Sequence, residues 1–234
     1  MSRVAIVLRK ELRELLSVRS SVILGAVFAV YFGLIYALRL GAQTVPSIEL
    51  SLGSLLFLLI TTLGAFLGYI FSGTVFLREK TEAVIETLLC SPVTLRELWL
   101  GKTLAITVLA DLFAVASGVL CWLIVSYRSG AVVMPDAAVV FHAVLVLPVL
   151  IACFVGALGF AQLLLGMKEN RIIGFAVFIL VFAALYGLGF VSSGVFVVTW
   201  LRVGLLAFGA VAVLAGLSYA SLRLNKERIV TTLS

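Results

Sequence analysis

Long apolar stretches without charge dominate this chain and leave it few ways to fold. No charged residue falls between Arg19 and Arg39, Glu49 and Arg78, Asp136 and Lys168, Arg171 and Arg202, or Arg202 and Arg223. The stretch from Lys102 to Arg128 holds one, Asp111. Each run supplies the roughly 20 apolar residues that cross a hydrocarbon core. Of the 234 residues, 63% are hydrophobic and 12% charged, about half the charge that coats an ordinary soluble domain. Lipid must be the main solvent, and in lipid only helices or closed barrels satisfy the backbone. Barrel strands alternate apolar and polar residues over about ten positions. The runs here are unbroken, so the expected fold class is an all-α integral membrane protein.

Six transmembrane helices are expected, near residues 20–38, 52–77, 103–126, 138–166, 172–190 and 203–222, in one transmembrane domain covering residues 1–234. The fourth run is longer than a span needs, so that helix tilts or projects. The run ending at Arg202 is too long for one straight span. Its tail, Val191 to Thr199, contains Ser192, Ser193 and Gly194 and reads as a short re-entrant or interfacial turn.

The net charge of +6 invites a nucleic-acid reading, but its distribution argues against one. Alternate segments, counted from the N-terminus, hold fourteen of the seventeen Lys and Arg residues. This positive-inside pattern places both termini in the cytoplasm. The first residues, with Glu11 and Glu14, do not read as a cleavable signal peptide. Cys90, Cys121 and Cys153 are odd in number and scattered, and look like small buried hydrophobes rather than a disulfide or metal set.

Ser2 to Arg19 has the helical period. Val4, Val7, Leu8, Leu12 and Leu15 cluster on one face, with Arg3, Lys10, Arg13 and Glu14 opposite. Such an amphipathic helix lies flat in the headgroup layer. Glu11 falls near the apolar stripe and needs a partner. Two readings fit, an interfacial anchor for the first span or a docking helix for a cytoplasmic protein.

Residues 78–102 form the longest cytoplasmic loop, with four basic and four acidic residues. Its first part is helical, with Glu82 and Glu86 on one face and Ala83, Val84, Leu88 and Leu89 supplying apolar surface. Pro92 disfavours the helical conformation at Ser91. Thr94-Leu-Arg-Glu97 is a capping box that starts a new helix leading into the third span. The expected product is a stiff, charge-balanced knob suited to a protein partner. Gly101-Lys102-Thr103 matches the end of a phosphate-binding loop, but Arg96 stands where its first glycine is required. The chain therefore carries no nucleotide site of its own.

Within the spans, Asp111 is the only acid and must face the bundle interior, a cavity or a dimer contact. It is either a proton or substrate-cation site on a translocation path, or a structural acid reaching back to Thr107. His142 and Gln162 lack partners at metal-ligand spacing and read as interhelical polar contacts. Gly64 and Gly68 permit close helix packing. Tyr69, Phe71 and Phe76 would face lipid or line a path. No Ser-His-Asp set, paired intramembrane carboxylates or His-Glu-x-x-His is present, so the chain is not expected to be an enzyme.

The stretch from Phe76 to Lys102 resembles the signature loop of the ABC type-2 permeases. In that family Glu, then Thr or Glu, then Leu-Leu, Ser-Pro and Gly-Lys recur between the second and third spans. Lys10-Glu-Leu-Arg-Glu14 resembles the family's N-terminal helix, and the layout of spans matches over nearly the whole chain. The resemblance implies that the loop is a coupling helix docked on a separate ATP-binding subunit. Glu79, Glu82, Glu86, Ser91, Pro92 and Glu97 are the implied interface residues, joined by Lys10, Glu11 and Glu14 of the N-terminal helix. It further implies two ATPase copies, a second permease copy or paralogue, and ATP and magnesium bound by the partner rather than by this chain. Export across a prokaryotic inner membrane follows from the same resemblance. Sparse polar groups in the spans favour a hydrophobic or amphipathic cargo. The competing reading is a carrier or channel component that needs no ATP, which predicts more polar or broken helices near mid-bilayer.

Overall fold

The computed structural model describes residues 3–40, 45–77, 94–165, 169, 170, 172–177, 179 and 198–221. Seven α-helices account for most of them. They are α1 (Arg3–Ser17), α2 (Arg19–Leu40), α3 (Val45–Ser72), α4 (Leu95–Ser129), α5 (Ala137–Phe141), α6 (Leu147–Leu164) and α7 (Trp200–Ser221). Among the described residues there is no strand.

Among the described residues, five helical stretches are long and apolar enough to cross a membrane: Arg19–Leu38, Leu52–Phe76, Leu95–Ser129, Ala137–Leu164 and Trp200–Ser221. They fall on five of the six expected spans. The expected span at 172–190 lies largely outside the described residues, as does most of the turn at Val191 to Thr199. Large apolar side chains cover the outside, including Ile23, Val27, Leu201, Leu205 and Phe208. On a soluble protein such a surface would aggregate; here it is what lipid wets.

Helix α4 is the mast of the bundle, in contact with α1, α2, α3 and α6. Its 35 residues run about 52 Å, well beyond a hydrocarbon core of about 30 Å, so the helix projects beyond the apolar layer. Both ends have sequence reasons. Thr94 caps the start, and Gly130 ends the helix at φ 66°, a left-handed conformation that favours glycine. Beyond Gly130 the Trp122 indole N–H donates to the Val133 carbonyl at 2.7 Å and ties the following loop back to the mast.

Two π-helical turns interrupt the α geometry, Gly73–Leu77 at the end of α3 and His142–Val146 between α5 and α6. The second precedes Pro148, whose missing amide N–H spoils the regular ladder, and the Leu147 N–H reaches back to the His142 carbonyl. Glycines set the closest helix contacts. A Cβ at Gly64 or Gly68 of α3 would stand 2.7 Å from Ile151 or 2.8 Å from Val155 of α6. Phe71 and Phe76, expected to meet lipid or a path, are instead buried in the core. Gly159 leaves room for the Phe76 ring: a Cβ there would lie 2.6 Å from it.

Candidate functional site

The site is the start of the mast, at Thr94 to Lys102. The Thr94 hydroxyl accepts from the Glu97 amide at 3.3 Å, and the Glu97 carboxylate accepts from the Thr94 amide at 2.9 Å. This is the expected capping box, closed in both directions. A further bond from the Thr94 hydroxyl to the same carboxylate, at 2.9 Å, completes it. The Thr94 amide and then its hydroxyl hold the Glu97 carboxyl below the ordinary carboxylate range, and the Arg3 charge adds to the effect. The capping box fixes the start of the helix at Thr94.

One turn further, the Trp99 indole is fully buried and donates to the Gly156 carbonyl of α6 at 3.1 Å. Gly156 makes room for the ring: a Cβ there would stand 3.0 Å from it. Gly101 does the same for α1, since a Cβ there would lie 2.6 Å from Val7. Arg96 donates to the Ser218 hydroxyl at 3.1 Å, which fixes the end of α7 to the same turn.

Lys102 closes the knot. Its Nζ stands 3.1 Å from Glu11 Oε1, and the two side chains are 1% and 4% exposed. Val7, Glu11 and Leu15, at i, i+4 and i+8, are the buried residues of α1. Glu11 is thus the single acid on the packed stripe, and Lys102 is the partner it requires. The Phe76 ring lies 6.0 Å from the ammonium and completes an apolar wall around the pair. Lys10 joins from outside, at 3.3 Å from Glu11 and 3.8 Å from Glu14.

Of the interface residues named from the sequence, Lys10, Glu14 and Glu97 lie on the surface of this knot, and Glu11 lies inside it. Glu79, Glu82, Glu86, Ser91 and Pro92 lie outside the described residues. The structure adds Trp99, and it gives Lys102 a role as the partner of Glu11 that its place in the signature stretch does not convey. The signal for Lys102 was present: an acid on an apolar stripe, and a lysine at the mouth of a span.

Deeper in the bundle, Thr61 donates to the Phe57 carbonyl at 2.6 Å and meets His142 Nε2 at 2.9 Å. The Gln162 amide donates to the Ser72 hydroxyl at 3.4 Å. Both are interhelical contacts. Asp111 does not reach back to Thr107 for a proton: the Thr107 hydroxyl donates to the Thr103 carbonyl at 2.8 Å.

This architecture is that of a multi-pass, all-helical membrane protein with a braced entry to one long span. A family model described as ABC-2 family transporter protein matches residues 5–162, more than half of the chain. The chain belongs to the ABC-2 transporter family. No curated protein and no solved structure matches it.

Proposed function

We propose that the chain is the permease subunit of an ATP-binding cassette exporter, moving a hydrophobic or amphipathic substrate out of the cytoplasm on ATP hydrolysed by a separate subunit. The observation that carries this is the knot of α1 and α4. The loop at 78–93 feeds directly into a capped helix, and that helix is clamped to α1 by Lys102 and Glu11 and to α6 by Trp99. A push on the loop would move the mast as a rod, because no joint lies between Thr94 and Ser129.

On this reading Glu79, Glu82, Glu86, Ser91, Pro92 and Glu97 meet the ATPase subunit, with Lys10 and Glu14 at the edge of the contact. Glu11 acts from within by holding α1 on α4. Two such permeases, identical or paralogous, work with two ATPase subunits that bind ATP and magnesium. The bundle has six spans, with the fifth at 172–190, and both termini face the cytoplasm of a prokaryotic cell. ATP binding favours one of two states, inward-open or outward-open, by binding it better.

Affinity purification of the chain from its native membrane tests the reading. An ATPase with a phosphate-binding loop should co-purify, and a protease site placed in the Ser91–Thr94 turn should release it on cutting. Transport by the purified chain alone, without ATP, would instead support a carrier or channel.

A further inference from the structure

Asp111 lies nine residues beyond Lys102 on α4, about 13–14 Å deeper along the helix and about 180° around it. The Lys102 ammonium therefore leaves the opposite side of the helix and is held by Glu11. Thr103, Thr107 and Asp111 follow at i, i+4 and i+8 and share one side of α4. Thr103 and Thr107 are buried, and Asp111 sits at the border between the packed and open sides. The Thr107 proton is spent on the Thr103 carbonyl. Among the described residues, buried Asp111 Oδ1 has no hydrogen-bond partner, and neither has Thr103 Oγ1. Beside this polar row runs an apolar one. Leu104, Val108 and Leu112 are 39%, 50% and 62% exposed and span about 12 Å of helix.

We infer that this border of α4 is a cargo-binding site for amphipathic cations, with the Asp111 carboxylate receiving an N–H of a ligand ammonium and Leu104, Val108 and Leu112 receiving its apolar body. A carboxylate with an unfilled acceptor in an apolar layer selects a ligand that brings both a donor and a positive charge. Lipid tails bring neither. The assignment of this ligand as cargo rests on the transport reading; its binding does not.

Binding to the full-length chain in nanodiscs tests the inference without ATP or any partner. The probe is monodansylcadaverine, a primary ammonium on an apolar fluorophore, with its uncharged N-acetyl derivative as control and fluorescence anisotropy as readout. The wild type should bind the ammonium at least about tenfold more tightly than the acetyl form, the value of one charge-assisted hydrogen bond. Asp111→Asn should remove that preference, and Asp111→Glu should keep most of it. Equal binding of both probes by the wild type, or a preference unchanged in Asp111→Asn, overturns the inference. Should Asp111→Asn fail to fold, the wild-type preference and its retention in Asp111→Glu still decide. If binding follows expectation while no ATP-dependent transport is found, the site stands and the transport reading falls.

Discussion

Lys102 Nζ lies 3.1 Å from Glu11 Oε1, a buried ion pair between the first helix of the chain and the mast of the bundle. The pair has little water to replace either partner. Two charges withdrawn from solvent hold their place through each other, so removing one leaves the other uncompensated. We expect Glu11→Gln or Lys102→Met to destabilise the fold by about 3–5 kcal/mol, and the double change Glu11→Leu with Lys102→Met to recover most of that loss. Thermal unfolding in nanodiscs, followed by tryptophan fluorescence, checks it. A double variant no more stable than either single one would show that the pair is not the source of the effect.

The glycines of the helix contacts should not be equally sensitive to alanine. At Gly64 the new methyl meets the flexible tip of Ile151, at Gly68 the stiff branch of Val155, and at Gly101 the Val7 side chain at its root with the Leu8 backbone behind it. Alanine gains up to about 1 kcal/mol of helix propensity, against about 1–3 kcal/mol for overpacking. Gly64→Ala should be near neutral, Gly68→Ala mildly destabilising and Gly101→Ala the most harmful. Val7→Ala should relieve Gly101→Ala only in part, because the Cβ at position 7 stays 2.7 Å from the new methyl. The unfolding midpoints of the three variants supply the ranking.

The Thr94–Glu97 box carries a pH signature. The Glu97 carboxyl is lowered in the folded state, so its contribution is present above the unfolded carboxylate value and is lost as pH falls through the folded one. Amide hydrogen exchange at the start of α4 should accelerate on acidification below the ordinary carboxylate range, once corrected for the intrinsic rate. Glu97→Gln should flatten that response. Thr94→Ala should loosen the same turn at neutral pH, by about 1 kcal/mol for a lost N-cap.

Trp99 separates shape from hydrogen bonding at the α4–α6 contact. Trp99→Phe keeps most of the buried ring and loses the bond to the Gly156 carbonyl, a loss of about 1 kcal/mol. Trp99→Ala empties the site and should cost about 3–5 kcal/mol. A reporter disulfide between α4 and α6 should form normally in the first variant and poorly in the second.

How much of this was legible in advance differs by residue. The capping box was readable because Thr94 and Glu97 are three residues apart and their pairing is local. The need of Glu11 for a partner was readable because it interrupts an apolar stripe. Its choice of Lys102 was not, since that depends on how α1 lies across α4 and on Gly101 letting the helices approach. Phe71 and Phe76 read as lipid-facing or path-lining because hydropathy has no direction; packing against α6 decided that Phe76 is core.

By itself the sequence determined the solvent, the helical class and the placement of the spans covered by the described residues. Transfer into lipid is a nearly additive property of a run of side chains, and it needs no knowledge of neighbours. Tertiary structure alone decided which charges meet, which glycines admit which side chains, and that Asp111 Oδ1 is buried with no hydrogen-bond partner among the described residues. Those outcomes turn on the rotation and separation of helices distant in the chain, to which no local window is sensitive.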